Sequence, residues 1–380
     1  MPAWNLQTPQ SLSFNPGKSL EAVVRKLRPY LVPAYRRAFA GLVTRGLRER
    51  REGERIVCCD FANPAIDAVG GRYYFSLVRD LIDAGYFPVF TARRATLSTF
   101  GTSRMKSVLL AERLGVVRSA DDLNEPFLLI TDDPDAAPRH AERIVVVDYE
   151  WRVCRKENEV AFPFFMHPRI GSAPRQDAGG PRTARLFFGG NTEEGKYDKD
   201  VIRDTYGMLS RREMLSVAAS VIPTEQTHRP VEAAAWLVST EIHSFVLCET
   251  QHCKIPQDRW LDALAKADFF LACPGVGMPL CHNVIEALAA GCVPILEYGN
   301  YLTPPLRDRV NCLAFHDAAS LGEVLRGIHA MSAAEIEELR ANVRVCFGEY
   351  LAPGRFVSRL FSGPHDRRIL LVNDYRVPRK

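Results

Sequence analysis

The sequence lacks the cysteine patterns of a disulfide framework or a zinc site. Its ten cysteines are scattered over 380 residues with no Cys-x-x-Cys pair. In a chain this long, that pattern favours free thiols in a reducing compartment. Cys248 and Cys253 have four residues between them, but no second His/Cys pair follows at zinc spacing. We therefore predict no metal there.

Long apolar runs and targeting signals are also missing. No stretch approaches the roughly 18 apolar residues that a membrane-spanning helix needs. Residues 1–16 lack the basic-then-apolar order of a signal peptide. There is no internal repeat and no low-complexity tract. We therefore expect a cytoplasmic protein, with contact to the inner face of a membrane left open.

Net charge is small, at +4, and the composition is globular, with 47% hydrophobic and 25% charged residues. Nothing here predicts a nucleic-acid partner. One segment is more basic: between Arg25 and Arg55 there are ten Lys/Arg and three Glu, with apolar residues at helical spacing. Such a helix either rests on anionic lipid or packs on the protein with its basic face in solvent.

Strand-like and helix-like runs alternate in the first half of the chain. The pattern predicts strands and helices of ordinary length; the strands are 55–60, 86–90, 127–131 and 143–148, and the helices 73–84 and 104–114. Such alternation is typical of a parallel sheet covered by helices on both faces.

A second alternation follows a stretch rich in proline and glycine, 162–182. It begins at Arg185 and predicts helices at 200–220, 258–267, 282–290, 318–331 and 333–350, with strands at 244–248, 269–272, 293–296 and 311–315. The predicted fold class is therefore α/β, with two Rossmann-like doubly wound domains facing across a cleft. The predicted segments are a basic helical segment 1–54, an acceptor domain 55–165, a hinge 166–184, a donor domain 185–350 and an extension 351–380.

The stretch 268–298 holds the clearest candidate site. It reads as a buried strand, a Gly/Pro loop, a short helix and a second buried strand. Gly275 and Gly277 let the loop backbone approach a ligand, and the helix start offers free amides to a diphosphate. His282 and Asn283 lie near that start. Glu286, about one turn further on, suits the two vicinal hydroxyls of a ribose. The alternative is a tight Gly/Pro turn followed by a helix in which Glu286 is an ordinary solvated residue.

From Ala267 to Gly275 and from Glu286 to Ile295, this stretch resembles the donor-binding domain of exostosin-like glycosyltransferases, and more broadly the GT-B superfamily. The likeness covers roughly residues 185–330. It implies a GT-B fold, a nucleotide-sugar donor held between two domains, no resident cofactor or metal, and Glu286 on the donor ribose. Many retaining members have a second Glu eight positions earlier. Here that position is Met278, which favours an inverting enzyme.

A second group of candidates follows the strand that opens the second alternation. In the enzymes this stretch resembles, the turn at Gly190 and Asn191 lies against the donor phosphates. A fixed cation there lowers the barrier, because negative charge builds on the departing diphosphate. The candidate cations are Lys196, Arg211 and Arg212. The alternative is an ordinary turn followed by a basic helix face.

Two residues are candidates for the catalytic base. His167 lies in the Pro-bounded hinge, and Asp60 ends the first predicted strand. Inverting sugar transfer needs one group to take the proton of the acceptor hydroxyl. The alternatives are a linker histidine without a task and an aspartate that caps a loop. The acidic run 131–135 is read as a turn and not as a metal site.

The sequence thus predicts a glycosyltransferase that moves a sugar from a nucleotide-sugar to a glycan or lipid-linked acceptor, inverting and metal-independent. Two alternatives remain open at this point: a nucleotide-sugar epimerase or hydrolase on the same scaffold, and a non-catalytic nucleotide-sugar-binding subunit. A Rossmann dehydrogenase is disfavoured, because no Gly-x-Gly-x-x-Gly follows 55–60.

Overall fold

The computed structural model describes residues 40–101, 103, 105–150, 156–168, 170, 182–193, 195 and 201–372. Most of the predicted basic segment and the candidate Lys196 lie outside these residues. Within the described part, two separate parallel sheets organise the chain.

The first sheet has seven strands. They are β1 Ile56–Asp60, β2 Phe87–Thr91, β3 Gly115–Val117, β4 Phe127–Thr131, β5 Ala141–Asp148, β6 Glu159–Ala161 and β13 Arg367–Leu371. Their spatial order is β3-β2-β1-β4-β5-β13-β6, and every pairing is parallel. The chain therefore starts in the middle, winds to one edge and crosses back, which places a switch point between β1 and β4.

The second sheet has six strands. They are β7 Ala184–Gly190, β8 Thr227–His228, β9 His243–Glu249, β10 Ala267–Leu271, β11 Val293–Leu296 and β12 Leu313–Ala314. The order β12-β11-β10-β7-β9-β8 is again wholly parallel. Its switch point lies between β7 and β10, where ligands of such sheets bind.

Helices cover these sheets. They are α1 Ala68–Asp83, α2 Arg94–Leu97, α3 Val201–Tyr206, α4 Arg211–Val221, α5 Ala233–Val238, α6 Trp260–Ala265, α7 His282–Ala289, α8 Ala318–Ala330, α9 Ala333–Cys346 and α10 Arg355–Phe361. Short 3₁₀ turns include Pro64–Asp67, Ser98–Gly101, Lys106–Ala111 and Gln257–Arg259, and a π-helical turn spans Phe347–Leu351. The predicted fold class, α/β with two doubly wound parallel sheets, is confirmed.

Two predicted helices differ from the observed ones. The helix expected over 200–220 is two helices, because Gly207 has a left-handed φ of 67° and Ser210 begins α4 with a capping box to Glu213. The helix expected over 104–114 is a 3₁₀ segment over Lys106–Ala111. Lys106 is fully buried, which an amphipathic pattern does not anticipate.

The end of the described chain returns to the first domain. Helix α10 packs in the core of the first sheet through Phe356 and Val357, and β13 lies between β5 and β6. Asp80 of α1 fixes this crossing by accepting hydrogen bonds from the amides of Gly354 (2.7 Å) and Val357 (2.8 Å). The two domains are thus joined twice, near 162–170 and near 351–355.

The described part of the basic segment packs on the first domain. Leu42 is 1% exposed, and Leu47 contacts the cluster of Ile56 and Phe87. Arg45 donates to the carbonyls of Leu110 and Glu112. Among the described residues, each helix is too short or too polar to cross a membrane.

Candidate active site

A cavity of about 220 Å³ lies at the carboxyl ends of β7 and β9 and the start of α7. Five of the predicted site residues line this cavity. Its walls include His167, Gly189, Gly190, Thr250, Lys254, Trp260, His282, Asn283 and Glu286. The cavity therefore sits beside the switch point of the second sheet, where the alternation of the sequence places a ligand.

Glu286 lines this cavity and is fully buried. Its Oε1 accepts a hydrogen bond from the amide of His167 (2.9 Å), and its Oε2 accepts one from Nε1 of Trp260 (2.6 Å). Burial raises the pKa of Glu286 to about 7, although both hydrogen bonds and the charge of Arg72 lower it. Each oxygen keeps a second lone pair for a ligand hydroxyl.

Trp260 begins α6, after the 3₁₀ turn Gln257–Arg259. Its ring packs against Phe187 of β7 (5.8 Å between centroids) and Phe270 of β10 (6.2 Å). A Cβ on Gly189 would lie 2.7 Å from this indole. The glycine in the turn is therefore required by the close approach of Trp260. Sequence reasoning missed Trp260, because a tryptophan in an amphipathic helix reads as core.

Two histidines lie side by side near Glu286. The rings of His167 and His282 are 5.1 Å apart. His282 is the first residue of α7, and burial followed by the charges of Arg72, His167 and Arg211 lowers its pKa to about 3. Its imidazole is therefore neutral at neutral pH. Asn283 follows it at the helix start, where the positive end of the helix dipole favours an anion.

Arg72 of α1 reaches this region from the first domain. It is 6% exposed, its Nη2 donates to the carbonyl of Phe165 (2.6 Å), and its guanidinium lies over the ring of Phe164 (4.2 Å). Burial lowers the pKa of Arg72, while the charge of Glu286 raises it. No sequence pattern indicates Arg72, since only the fold brings α1 next to α7.

Among the predicted cations, Arg211 supports the cavity from outside it. It is 7% exposed, and it donates to the carbonyls of Asn191 (2.6 Å) and Pro274 (3.2 Å). It thereby connects the turn after β7 to the loop after β10. Arg212 is exposed on α4. Lys254 also lines the cavity. Sequence reasoning did not include it among the candidate cations.

The loop that contains Gly275 and Gly277 lies beside the cavity. Neither glycine is among the described residues that line the cavity. The amide of Gly275 donates to the carbonyl of Pro279 (3.3 Å), and a Cβ there would lie 2.8 Å from the carbonyl oxygen of Met278. Gly275 is thus explained by a tight turn. Met278 is buried in the core of the second domain.

Asp60 occupies a different cavity, of about 260 Å³, at the carboxyl edge of the first sheet. Arg93 binds its carboxylate through two hydrogen bonds (2.7 and 2.9 Å), and Thr91 donates a third (2.6 Å). Burial raises the pKa of Asp60, but the hydrogen bonds from Arg93 and Thr91 outweigh it, so the pKa falls. Of the two candidate bases, His167 shares a cavity with Glu286.

In the acidic run after β4, Asp132 forms hydrogen bonds with nearby residues of the first domain. Asp132 accepts hydrogen bonds from the amides of Ala62 (2.8 Å) and Asn63 (2.7 Å) and from the hydroxyl of Tyr149 (3.1 Å). It therefore closes the loop that follows β1. In the described ranges, no three His, Cys, Asp or Glu side chains are grouped so as to hold a metal.

A second cavity, of about 230 Å³, adjoins the first. The two share His167 and Ile170 as wall residues. Apolar side chains form much of the second cavity, including Phe75, Phe165 and Met166. Arg79 lies in the same wall and is paired with Asp83 (2.6 Å) and Glu112 (2.6 Å). His167 thus stands between two neighbouring spaces of the interdomain cleft.

Neither a protein-family model nor the sequence of a curated protein matches the chain. Two solved structures are distantly similar. HepE from Anabaena, solved in complex with UDP, has 10% identity and a TM-score of 0.41, covering 81% of this chain and 99% of its own. The N-terminal domain of a trehalose-6-phosphate phosphatase from Candida albicans has 10% identity and a TM-score of 0.34, covering 91% and 80%. Likenesses this distant carry no functional argument, and the fold class rests on the two sheets.

Proposed function

We propose that the protein is a glycosyltransferase that moves a sugar from a nucleotide-sugar donor to an acceptor hydroxyl. The observation that supports this most is the buried, doubly hydrogen-bonded Glu286 in a cavity at the switch point of the second sheet. A carboxylate with a free lone pair on each oxygen suits the two vicinal hydroxyls of a ribose. The exostosin-like likeness in sequence agrees with this proposal.

In this proposal the second domain holds the donor. The ribose binds Glu286, and the diphosphate lies between the start of α7, at the positive end of the helix dipole, and the turn at Gly190. Lys254, in the same wall, offsets the negative charge of the diphosphate. Positive groups fixed where negative charge develops lower the barrier to departure of the nucleoside diphosphate. The reaction then proceeds without a metal ion.

The acceptor binds in the adjoining cavity, on the side of the first domain. His167, in the wall between the two cavities, takes the proton of the acceptor hydroxyl. The hydroxyl oxygen attacks the anomeric carbon from the face opposite the diphosphate, and the bond from that carbon to the diphosphate oxygen breaks. The electron pair leaves with the nucleoside diphosphate, and the sugar configuration inverts. Closure of the cleft excludes water that would hydrolyse the donor.

A thermal-shift screen with UDP, GDP, CMP and TDP, each with and without a sugar, tests the proposal. A ligand that binds only the folded state raises the melting temperature according to its occupancy. We expect one nucleotide family to stabilise the wild type and to lose that effect in Glu286→Gln. Glu297→Gln is the matched control, because Glu297 accepts one amide hydrogen bond, from Leu209 (2.7 Å), that glutamine can also accept.

Further outcomes separate the alternatives. Transfer to an added acceptor supports a glycosyltransferase. Donor turnover without any acceptor indicates an epimerase or hydrolase, and binding without turnover indicates a non-catalytic subunit. The proposal fails if no nucleotide or nucleotide-sugar changes the melting temperature of the wild type.

A further inference from the structure

The largest cavity described here lies away from the candidate active site. It measures about 800 Å³ and is formed by β6 and α10 of the first domain together with residues 300–305, which follow β11 of the second. Among the described residues it shares no wall residue with the cavity of Glu286. Its position makes it a second, separate space between the two domains.

Two arginines in its wall are not paired with carboxylates within the described residues. The guanidinium of Arg359 lies 3.9 Å from the ring centre of Tyr350. Nη1 of Arg368 donates to the main-chain carbonyl of Arg359 (3.3 Å), and its Nε is buried with no hydrogen-bond partner in the described part of the chain. A buried guanidinium nitrogen without an acceptor is costly unless a ligand provides one.

A third arginine adds to the positive charge. Arg143 is held by the main-chain carbonyls of Phe361 and Gly363. Burial lowers the pKa of Arg368, and the charge of Arg143 lowers it further. The carboxylate of this wall is Glu159, which is 7% exposed and accepts a hydrogen bond from the amide of Lys156 (3.3 Å). The wall therefore keeps an excess of positive charge, which an anion would offset.

The rest of the wall is aromatic and apolar. Tyr301, Tyr350 and Phe356 line the same cavity as the two arginines. Sites for small ligands commonly combine apolar and aromatic walls with a few polar groups that fix orientation. Guanidinium groups bind carboxylate or phosphate oxygens in pairs through their planar fork.

We propose that this cavity binds a sugar unit that carries an anionic group, either a carboxylate or a phosphate. Arg359 and Arg368 hold the anion, and the aromatic side chains contact the apolar face of the sugar ring. The site is independent of the proposed nucleotide-sugar site, because the two cavities have different walls. The protein thus binds a second ligand, which it recognises in part by its negative charge.

Isothermal titration calorimetry with four probes tests the proposal: glucuronate, glucose 6-phosphate, glucose and inorganic phosphate. We expect an anionic sugar to bind the wild type more tightly than either glucose or phosphate, and the tighter of the two anionic sugars identifies the anion. In the double variant Arg359→Gln/Arg368→Gln, that affinity falls about tenfold or more, because two charge-assisted contacts are lost. Arg326→Gln, an exposed arginine on α8, is the charge-matched control and keeps the affinity.

The single variant Arg359→Gln, which changes an exposed side chain, repeats the test if the double variant does not fold. The proposal is overturned if glucose binds as tightly as the anionic sugars, if no anionic sugar binds at millimolar concentration, or if the arginine variants bind like the wild type. Nucleotide binding measured in the same variants stays unchanged. If neither the wild type nor any variant binds nucleotide, that result counts against the glycosyltransferase proposal and not against the anionic-sugar site.

Discussion

Nε1 of Trp260 donates a 2.6 Å hydrogen bond to Oε2 of Glu286. The other carboxylate oxygen accepts from the amide of His167, at 2.9 Å. Helices α6 and α7 and the segment that connects the two domains therefore meet at one buried carboxylate. This arrangement fixes the side chain of Glu286 and still leaves a lone pair on each oxygen.

Replacing Trp260 by phenylalanine removes this hydrogen bond and keeps an aromatic ring in place. We expect Trp260→Phe to weaken binding of the best-bound nucleotide about tenfold, because a hydrogen bond to a charged group contributes about 1.5–3 kcal/mol. Trp236→Phe is the matched control. Trp236 is also buried and stacks on Phe187 (5.2 Å), but its Nε1 has no hydrogen-bond partner in the described part of the chain. Equal losses in both variants, measured by calorimetry, would contradict a specific role for the Trp260 hydrogen bond.

The raised pKa of Glu286 predicts a pH-dependent stability. In the folded protein its pKa is about 7, and the ordinary value is 4.5. Between these values the folded state binds more protons than the unfolded state, so the free energy of unfolding falls as pH rises. We expect the free energy of unfolding of the wild type, taken relative to that of Glu286→Gln, to fall from pH 5 to pH 8, with a steepest slope of about 1.4 kcal/mol per pH unit. Urea unfolding at several pH values measures it, and a constant difference would show that Glu286 titrates normally.

Gly189 is predicted to control the position of Trp260. A Cβ at Gly189 would lie 2.7 Å from the indole and 2.8 Å from the ring of Phe187, so the tryptophan must move. We expect Gly189→Ala to lower the melting temperature and to weaken nucleotide binding. Gly327→Ala on α8 is the control: a Cβ there meets nothing within 4 Å, and alanine favours a helix over glycine by about 1 kcal/mol. If Gly189→Ala binds nucleotide as tightly as the wild type, then the glycine does not control the position of Trp260.

A buried ion pair stabilises the first domain. Lys106, fully buried, donates to Asp67 (2.8 Å), to the carbonyl of Thr96 (2.6 Å) and to Thr99 (2.7 Å). Lys106→Met removes the cation that pairs with the carboxylate of Asp67, and we expect a loss of about 3–5 kcal/mol in the free energy of unfolding. Adding Asp67→Asn to that variant should cost less than it costs in the wild type, because the two groups are coupled. Additive losses in urea unfolding would contradict direct coupling.

Much of the fold follows from the sequence because hydrophobic runs and glycine stops recur at regular intervals. The strand at 269–272 and the helix at 282–290 were predicted within two residues of β10 and α7. The return of β13 to the first sheet could not be predicted, since it depends on contacts between residues far apart in sequence. One of these contacts is the bond of Asp80 to Gly354, 274 positions apart.

The candidate site was predictable only where one local segment forms it. The helix start with His282, Asn283 and Glu286 is such a segment. Trp260, Lys254 and Arg72 come from three other elements, and only the tertiary fold brings them near Glu286. Gly275 illustrates the limit: it was expected to let the loop approach a ligand, whereas its close neighbour in the structure is the main-chain carbonyl of Met278.

Substitutions at the two candidate bases should separate binding from turnover. His167 hydrogen-bonds Glu286 through its main-chain amide, so His167→Gln keeps that contact. We therefore expect nucleotide affinity to change little while the transfer rate falls about 10²- to 10⁴-fold, the usual contribution of a general base. Asp60→Asn is the comparison: it affects the ion pair with Arg93 in a separate cavity, and the transfer rate should stay near that of the wild type. Calorimetry and a transfer assay on the same variants measure both quantities. Loss of transfer in Asp60→Asn with normal transfer in His167→Gln would assign the base to the first sheet instead.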